Sequence, residues 1–521
     1  MGHTCTSAYE RMPHHESALE SVTCGVVLVS AVSSREQTAV QNYQSPPSDK
    51  KSVAFNFQER KNRRNIVPRS PITPQMKPTK NFTLLATFCL SMVMSFSAAD
   101  QQAAAPISKS ERQMVQDILK EAADDIGKNY YDPKFHGIDL EARVRDASEK
   151  VSSAQSLSQA YAAIADLFDG FNDSHTAFIP PRPAVRIQKG FEARYVGESY
   201  FVTSVMPGSD AEKQGLKRGD EILAMEGFAC HRQDEHKLTY LLDVLAPRYS
   251  MKLLVRSLDA KSRDMLVHFE KKELPTVMDL RSSTRGNTIS RLIRDRETYE
   301  KSIHSRYAEV GRVLVWKLPV FGGKPESLAS MIGKMKKAEG VVLDLRGNPG
   351  GLEEPLIDLL SALLDHEVKV GDRITRKATK PLIVKPTHRP FTGKVAVLID
   401  SASASASELF ARVIQLEKRG MVMGDRSSGQ VMEGMMYPHY LGIGIEIFYA
   451  FEVTIGDLVM ADGKSLEHNG VVPDMGILPS AKDLAAGRDP AMAIAIAQVG
   501  GTITADAAGK LFPPLRLKYE W

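Results

Sequence analysis

The feature that most constrains the fold is an apolar segment that runs into a stretch of alternating serine and alanine. Residues 395–399 are apolar, residues 401–407 alternate Ser with Ala, and Leu409, Phe410 and Val413 then follow at helical spacing. The free N–H groups of a helix N-terminus suit a developing oxyanion, and small side chains admit a substrate to the backbone. A serine helix cap or a flexible linker gives the same pattern, so both alternatives remain open.

The same part of the chain alternates strands with helices. Strands are predicted at 313–318, 340–345 and 395–399, and helices at 327–337 and 353–365. Such βαβ order implies a sheet buried on both faces, with the loops at the strand ends forming a site.

The rest of the chain has other patterns, and 521 residues suggest several domains. We predict an α+β multidomain protein with a helical N-terminal region at 100–185, a β-rich unit at 186–272, a connector at 273–310, an α/β domain at 311–500 and a tail at 501–521. The content of 43% hydrophobic and 25% charged residues is that of a globular protein. Nothing in the charge balance indicates a nucleic-acid partner.

The N-terminal segment has the layout of a secretory signal preceded by an extension. Residues 1–75 are polar and lack a sustained period, and we interpret them as a disordered, non-native extension upstream of the true start. Residues 76–99 begin with Met76, continue with two lysines and an apolar stretch, and end in Ser-Ala-Ala before Asp100. The alternative is an uncleaved membrane anchor, for which the apolar part is short. We therefore expect a periplasmic or secreted protein.

Removal of this segment changes the charge and the cysteine content. Residues 1–99 hold 11 Lys and Arg against 6 Asp and Glu, which leaves 56 against 57 in the mature chain. Cys5, Cys24 and Cys89 are also removed. Cys230 remains alone, so no internal disulfide can form, and we expect an inert, partly buried thiol.

Three loops have the composition of a reaction site. One contains Gly350-Gly351, one is the Ser/Ala run, and one spans 462–474. Glycines let a backbone N–H face a substrate oxygen, and no Lys-Ser/Thr follows to indicate a phosphate loop. His175 lies between polar residues after a helix end, where a solvated loop histidine is the simpler interpretation.

Five segments together resemble the S41 peptidases, the family of carboxyl-terminal processing proteases and tricorn core proteases. They are DSHTAF, GSDAEKQGLKRGDEIL, VVLDLRGNPGGL, VAVLIDSASASASELF and DGKSLEHNGVVPD, and they occur in the family's order. The second resembles a PDZ domain of the bacterial type. The resemblance implies a ClpP/crotonase-like catalytic domain, polypeptide substrates, no metal or other cofactor, and no membrane contact beyond the signal peptide.

The resemblance also implies which residues react. It places the nucleophile at Ser405 and the oxyanion hole at the N–H of Ala406 with that of Gly350 or Gly351. The processing-protease branch uses a lysine base 25 positions after the nucleophile, but this chain has Gln430 there. A neutral amide cannot accept the serine proton. The supporting glutamine of that branch falls on Gly434.

The tricorn-like branch offers a different base. Its Ser-His pair matches Ser174 and His175, and its late glutamate matches Glu467. The resemblance therefore implies a Ser405, His175 and Glu467 arrangement assisted by Ser174, with His468 as a fallback base. Imidazole titrates near neutral pH and can take the serine proton and return it to a leaving amine.

The PDZ resemblance places a peptide-carboxylate loop near Gly190, Phe191 and Glu192. This chain lacks a clear Gly-Leu-Gly-type loop there, so a structural or gating role is an equal alternative. Two other functions remain open: a catalytically inactive peptide-binding scaffold, favoured by Gln430, and a carrier of a small apolar ligand.

Mass spectrometry of the native protein tests the interpretation of the N-terminus. We expect the mature chain to begin at Asp100, because the small residues before it suit signal peptidase. A peptide from residues 1–75 in the native protein would contradict a start at Met76.

Overall fold

The computed structural model describes residues 106–181, 185–273, 305–323, 325–441 and 447–513. The expected extension and signal peptide, most of the connector, and Cys5, Cys24 and Cys89 lie outside these ranges. No helix within them is long and apolar enough to cross a membrane.

Helices and strands are numbered along the chain. The helices are α1 (Lys109–Asn129), α2 (Leu140–Ser153), α3 (Leu157–Asp169), α4 (Asp210–Lys213), α5 (Glu235–Thr239), α6 (Pro325–Met335), α7 (Glu353–Leu363), α8 (Ala406–Leu416), α9 (Ala481–Ala486), α10 (Pro490–Gln498) and α11 (Ala505–Ala508). The strands are β1 (Ala177–Ile179), β2 (Val185–Gln188), β3 (Phe191–Val196), β4 (Ser199–Val205), β5 (Glu221–Met225), β6 (Phe228–Ala229), β7 (Ser250–Arg256), β8 (Ser262–His268), β9 (Glu270–Glu273), β10 (Arg306–Val310), β11 (Val313–Lys317), β12 (Gly340–Asp344), β13 (Val368–Thr375), β14 (Thr379–Val384), β15 (Lys394–Ile399), β16 (Met421–Gly424), β17 (Glu433–Leu441), β18 (Ile447–Met460) and β19 (Met475–Gly476).

The helical N-terminal region forms as the sequence predicts. A capping box between Ser108 and Glu111 starts α1, and the side chains of Asp139 and Ser156 cap α2 and α3. The apolar faces of the three helices pack together in one core.

This region is not a self-contained helical unit, however. After α3 the chain forms β1, which pairs antiparallel with β18, a strand of the C-terminal half. β18 also pairs with β13 and β17, and β14 completes a five-stranded sheet. Phe178 on β1 and Phe451 on β18 stack in the helical core. The loop before β1 is therefore fixed against the C-terminal half of the chain.

The predicted βαβ segment forms a six-stranded sheet in the order β10-β11-β12-β15-β16-β19. Every pairing in it is parallel except that of β10 with β11. Helices α6, α7 and α8 pack on one face, and α10 and α11 pack on the other. The prediction of a sheet buried on both faces is confirmed. The carboxyl ends of β12, β15 and β16 share one edge of the sheet, where the loops meet.

The expected tail begins later than the sequence suggested. Residues 504–509 form α11 and its caps, and Ala508 is buried against α10. Together with Ile503 and Phe512, this segment covers part of the parallel sheet. Burial of these apolar side chains explains why the segment joins the core.

The unit at 186–272 is β-rich, with strands in the order β3-β4-β5-β7-β8 and β6 beside β5. β2 and β9 pair at its base, where the chain enters and leaves. Ser209 caps the predicted short helix α4, and α5 continues into a π-helical turn at Tyr240–Leu245. Cys230 is half-buried in this unit, and burial raises the pKa of its thiol to about 12, which keeps it unreactive.

Candidate active site

Ser405 occupies a sharp turn between β15 and α8. Its φ is 53° and its ψ is −120°, a conformation that non-glycine residues rarely adopt. Such backbone strain persists only where the surroundings enforce it. Here the Ser405 N–H donates to the Gln430 carbonyl at 2.8 Å and to the Glu408 carboxylate at 3.0 Å. The turn therefore holds the serine side chain at the N-terminus of a buried helix.

Hydrogen bonding distinguishes Ser405 from the other serines of the run. Ser401 donates to the Tyr195 carbonyl at 2.8 Å, Ser403 to the Leu345 carbonyl at 2.8 Å, and Ser407 to the Asn348 carbonyl at 3.0 Å. The Ser405 hydroxyl donates to no group in the described ranges. Three serines therefore support the loop, and the fourth keeps its proton available for transfer.

The glycine pair lies directly against this turn. A Cβ added to Gly350 would lie 2.6 Å from the Ser405 Cβ, so no larger residue fits there. The Gly350 N–H donates to Asn348 Oδ1 at 2.8 Å and is therefore occupied. The N–H groups of Gly351 and Ala406 make no hydrogen bond with another described residue. Of the two alternatives left by the sequence, the geometry favours Gly351 with Ala406 as the oxyanion donors.

His175 belongs to a relay that ends in a carboxylate. Its Nδ1 lies 2.7 Å from the Ser174 hydroxyl, and that hydroxyl donates to Glu467 Oε2 at 3.1 Å. Because the Ser174 proton is used toward Glu467, Nδ1 must donate to the Ser174 oxygen. Nε2 is then unprotonated and free to accept a proton. This tautomer follows from the hydrogen-bond network.

The carboxylate of the relay is itself anchored at two further points. Glu467 Oε1 accepts the Ser174 N–H at 2.8 Å, and Oε2 accepts the Val431 N–H at 2.9 Å. Burial raises the pKa of Glu467 above its ordinary range, and burial lowers the pKa of His175 to about 4. His175 is therefore neutral at pH 7.

Asp173 holds the His175 loop to the five-stranded sheet. Its carboxylate accepts the His175 N–H at 3.1 Å and the Thr454 hydroxyl at 2.7 Å. It also accepts the hydroxyls of Tyr130, at the end of α1, and of Thr176, at 2.8 and 3.0 Å. Three structural elements thus meet on one carboxylate two residues before the histidine.

Glu408 was not identified from the sequence, although it organises the turn at Ser405. It is fully buried and accepts hydrogen bonds from Ser405 N–H, the Ser427 hydroxyl at 2.6 Å, Gly429 N–H at 2.7 Å and Gln430 N–H at 2.9 Å. Burial raises its pKa to about 7. The available signal was a glutamate three residues after a serine at a helix start, the pattern of a capping box.

The segment at 430–434 brings the two halves of the site together. The Gln430 carbonyl binds the Ser405 N–H, and a Cβ added to Gly434 would lie 3.0 Å from both Cβ and Cδ2 of His175. The imidazole thus occupies space that a larger residue at 434 would need. No hydrogen bond joins Ser405 to His175 within the described residues, and such bonds often form only in the substrate complex.

His468, the alternative base, contacts a backbone carbonyl instead of the relay. His468 Nε2 lies 2.8 Å from the Asn172 carbonyl, and more than half of its side chain is exposed. A ring nitrogen committed to a carbonyl must carry its proton, so His468 cannot serve as a base through Nε2.

The β-rich unit packs against the loops that follow β15 and β16. Arg194 on β3 pairs with Asp400, and Arg232 pairs with Asp425 at 3.0 Å. The expected carboxylate loop lies at the start of β3, where the Gly190 carbonyl accepts the Met206 N–H at 2.8 Å. Phe191 packs on the core of the unit, and Glu192 is exposed. A peptide-binding role for these residues stays a prediction.

Across the described part of the chain, no group of three or more His, Cys, Asp or Glu side chains could hold a metal ion. The groups that this site offers are a serine hydroxyl, a neutral imidazole and backbone N–H groups without a hydrogen-bond partner among the described residues.

Comparison with known proteins relates part of the chain to a peptidase family. Residues 312–477 match Peptidase family S41. The chain is 24% identical over 407 residues to carboxyl-terminal-processing peptidase 3, chloroplastic, of Arabidopsis thaliana, covering 75% of this chain and 74% of that protein. It is 20% identical over 324 residues to the carboxy-terminal processing protease CtpA of Bacillus subtilis, covering 60% and 62%. Over residues 312–477 the chain thus matches the S41 family of serine peptidases, and it is a distant homologue of the C-terminal processing proteases.

A solved structure supports the fold. The crystal structure of mature CPAF matches with a TM-score of 0.54 at 16% identity, covering 72% of this chain and 95% of that one. The mixed α+β multidomain architecture is confirmed.

The ionisation of His175 can be measured directly. In protein with ¹⁵N-labelled histidine, we expect the His175 ring to stay neutral until the pH approaches about 4, because burial disfavours its cation. The exposed His366, which pairs with Asp365 and Glu417, is an internal control with a pKa above the usual value of 6.5. A His175 pKa at or above 6.5, assigned by loss of its signal in His175→Gln, would contradict the buried relay.

Proposed function

We propose that this protein is a serine endopeptidase that cleaves polypeptides through an acyl-enzyme, with Ser405 as nucleophile and His175 as base. The observation that carries the proposal is the relay from His175 through Ser174 to Glu467, attached to the same segment that fixes Ser405. The segment matters because it anchors Glu467 at Val431 and Ser405 at Gln430.

The reaction follows from these positions. A peptide carbonyl enters with its oxygen toward the N–H groups of Gly351 and Ala406. Ser405 Oγ attacks the carbonyl carbon while its proton passes to His175 Nε2, and the two N–H groups hold the oxyanion. His175 then protonates the leaving amine, and the C–N bond breaks. Water, deprotonated by the same nitrogen, hydrolyses the ester and restores the Ser405 hydroxyl.

The carboxylate compensates for the burial of the base. An imidazolium at His175 is disfavoured by desolvation, as its lowered pKa shows. During proton transfer, Nδ1 keeps its proton and its hydrogen bond to the Ser174 oxygen, and the charge of Glu467 acts through that hydroxyl. This arrangement fixes the ring tautomer and stabilises the transient cation, as an aspartate does in a Ser-His-Asp triad.

A second candidate is a catalytically inactive peptide-binding scaffold. It is favoured by Gln430 in place of the processing-protease lysine and by the absence of a hydrogen bond between the described Ser405 and His175. Both candidates share polypeptide partners, which family membership implies.

We also propose a ClpP/crotonase-like parallel sheet and a secreted or periplasmic location reached through the signal at 76–99.

Labelling with a fluorophosphonate separates the two candidates. We expect wild-type protein to be labelled on Ser405, as mapped by mass spectrometry, and Ser405→Ala to lose both labelling and peptidase activity. Ser401→Ala is the matched control, since its hydroxyl donates to the Tyr195 carbonyl. Labelling that survives in Ser405→Ala would exclude this nucleophile, whereas unlabelled and inactive wild-type protein would favour the scaffold.

Substitution of the relay tests the base. We expect His175→Ala to lower kcat/KM by at least about 10³-fold, the scale seen when a triad member is removed. Ser174→Ala should lower kcat/KM less, because Nδ1 loses its link to Glu467 while Nε2 remains.

In the wild type, the acid limb of the kcat/KM profile should lie well below pH 6.5, since the pKa of His175 in the folded protein is lowered to about 4.

The control for the relay is His468→Ala, which should leave kcat/KM nearly unchanged because that ring contacts the Asn172 carbonyl. A large effect of His468→Ala together with a mild effect of His175→Ala would assign the base to His468 instead.

A further inference from the structure

Glu452 is a half-buried carboxyl group beside the relay, and no described residue is its partner. It lies on β18, where its cross-strand neighbours are Ala177 on β1 and Met436 on β17, neither of which carries a charge. Within the described ranges no residue donates a hydrogen bond to it or pairs with it. Carboxyl groups removed from water are normally paired or hydrogen-bonded. An unpaired one next to a reaction site is suited to a partner supplied by the ligand.

Gly434 defines how close Glu452 is to the base. The position of an added Cβ on Gly434 lies 2.7 Å from Glu452 Oε1 and 3.0 Å from His175 Cδ2. The carboxyl oxygen and this ring carbon are therefore separated by no more than the sum of those distances. Cδ2 is bonded to Nε2, the nitrogen that exchanges the proton. Glu452 Oε1 thus lies near the Cδ2–Nε2 edge of the imidazole.

The Cδ2–Nε2 edge of the imidazole is also the edge that the leaving part of the substrate must approach. In acyl transfer, Nε2 gives its proton to the leaving amine, so the amine must approach that edge of the ring. The residue that carries the leaving amine is the first one after the scissile bond. This residue is therefore the part of the leaving group that lies nearest to Nε2.

We propose that Glu452 forms a binding position for a basic side chain, lysine or arginine, at the first substrate residue after the scissile bond. The inference rests on the proposed peptidase function and adds a substrate preference to it. A cation there would neutralise the carboxylate and satisfy its oxygens with charge-assisted hydrogen bonds.

The charges around Glu452 favour a cation. The nearby Asp173 lies in the loop that precedes β1, and His175 is neutral at pH 7. Burial, with a contribution from Asp173, raises the pKa of Glu452 to about 8. In the free enzyme much of Glu452 is therefore protonated at pH 7, and a bound lysine or arginine would draw it into the ionised form.

The test compares cleavage of a peptide library by the wild type and by Glu452→Gln, an isosteric change that removes the charge. Proteome-derived peptides are digested, and the products are identified by mass spectrometry. We expect lysine and arginine to be enriched about tenfold after the wild-type cleavage sites and not enriched with Glu452→Gln. Glu433→Gln is the matched control: Glu433 lies on neighbouring β17 and pairs with Arg373, so the enrichment should persist.

Kinetics on a matched substrate pair give a second readout. The pair differs only in Lys or Met at the first residue after the bond. The wild-type ratio of kcat/KM, Lys over Met, should rise between pH 6 and 9 as the carboxylate forms, and should stay near one in Glu452→Gln. Using the ratio cancels the titration of His175, which affects both substrates equally.

The outcomes separate this inference from the proposed function. Fluorophosphonate labelling and hydrolysis without any basic preference after the bond would overturn the role of Glu452 and leave the peptidase intact. A uniform loss of kcat for all peptides in both Glu452→Gln and Glu452→Ala would also overturn it, in favour of a positioning role for Glu452. Absence of labelling and hydrolysis in the wild type would refute the peptidase itself.

Discussion

The buried carboxylate of Glu408 is the interaction on which the candidate site depends most. It accepts hydrogen bonds from the Ser405 N–H and from three groups of the loop at 427–430. A buried anion is costly unless it is fully hydrogen-bonded, so these four donors cannot easily be rearranged one at a time. The positive φ of Ser405 is kept by the same bonds. A strained turn and a neighbouring loop are thus held by one acceptor.

Local patterns were enough to predict the elements of the sheet that carries Ser405. Periodicity located β11, β12, β15 and the helices between them, because apolar spacing reports burial directly. The five-stranded sheet was not predicted, since β1 and β18 come from opposite ends of the chain and their pairing leaves no local signal. The tail at 501–521 was misjudged for a related reason: α11 is short, and only its contact with α10 stabilises it.

Some site residues could likewise be predicted from local motifs, whereas others depend on contacts between distant parts of the chain. The motifs marked Ser405, His175 and Glu467 as candidates, and the structure places the last two in one relay. The choice between Gly350 and Gly351 could not be made from the sequence, because it depends on the side chain of Asn348 occupying one N–H. The isolation of Glu452 depends on which uncharged residues lie opposite it on two other strands.

The relay joins two residues that are far apart in the chain. Ser174 and Glu467 are separated by 293 positions, and β1 reaches the sheet only after β18 has been synthesised. Long-range contacts of this kind form late in folding, because closing a large loop costs entropy that nearby contacts do not repay. A nascent or truncated chain therefore has the Ser174–His175 pair without the carboxylate that orients it. Under the proposed function, the base therefore acquires its orienting carboxylate only after synthesis has passed Glu467.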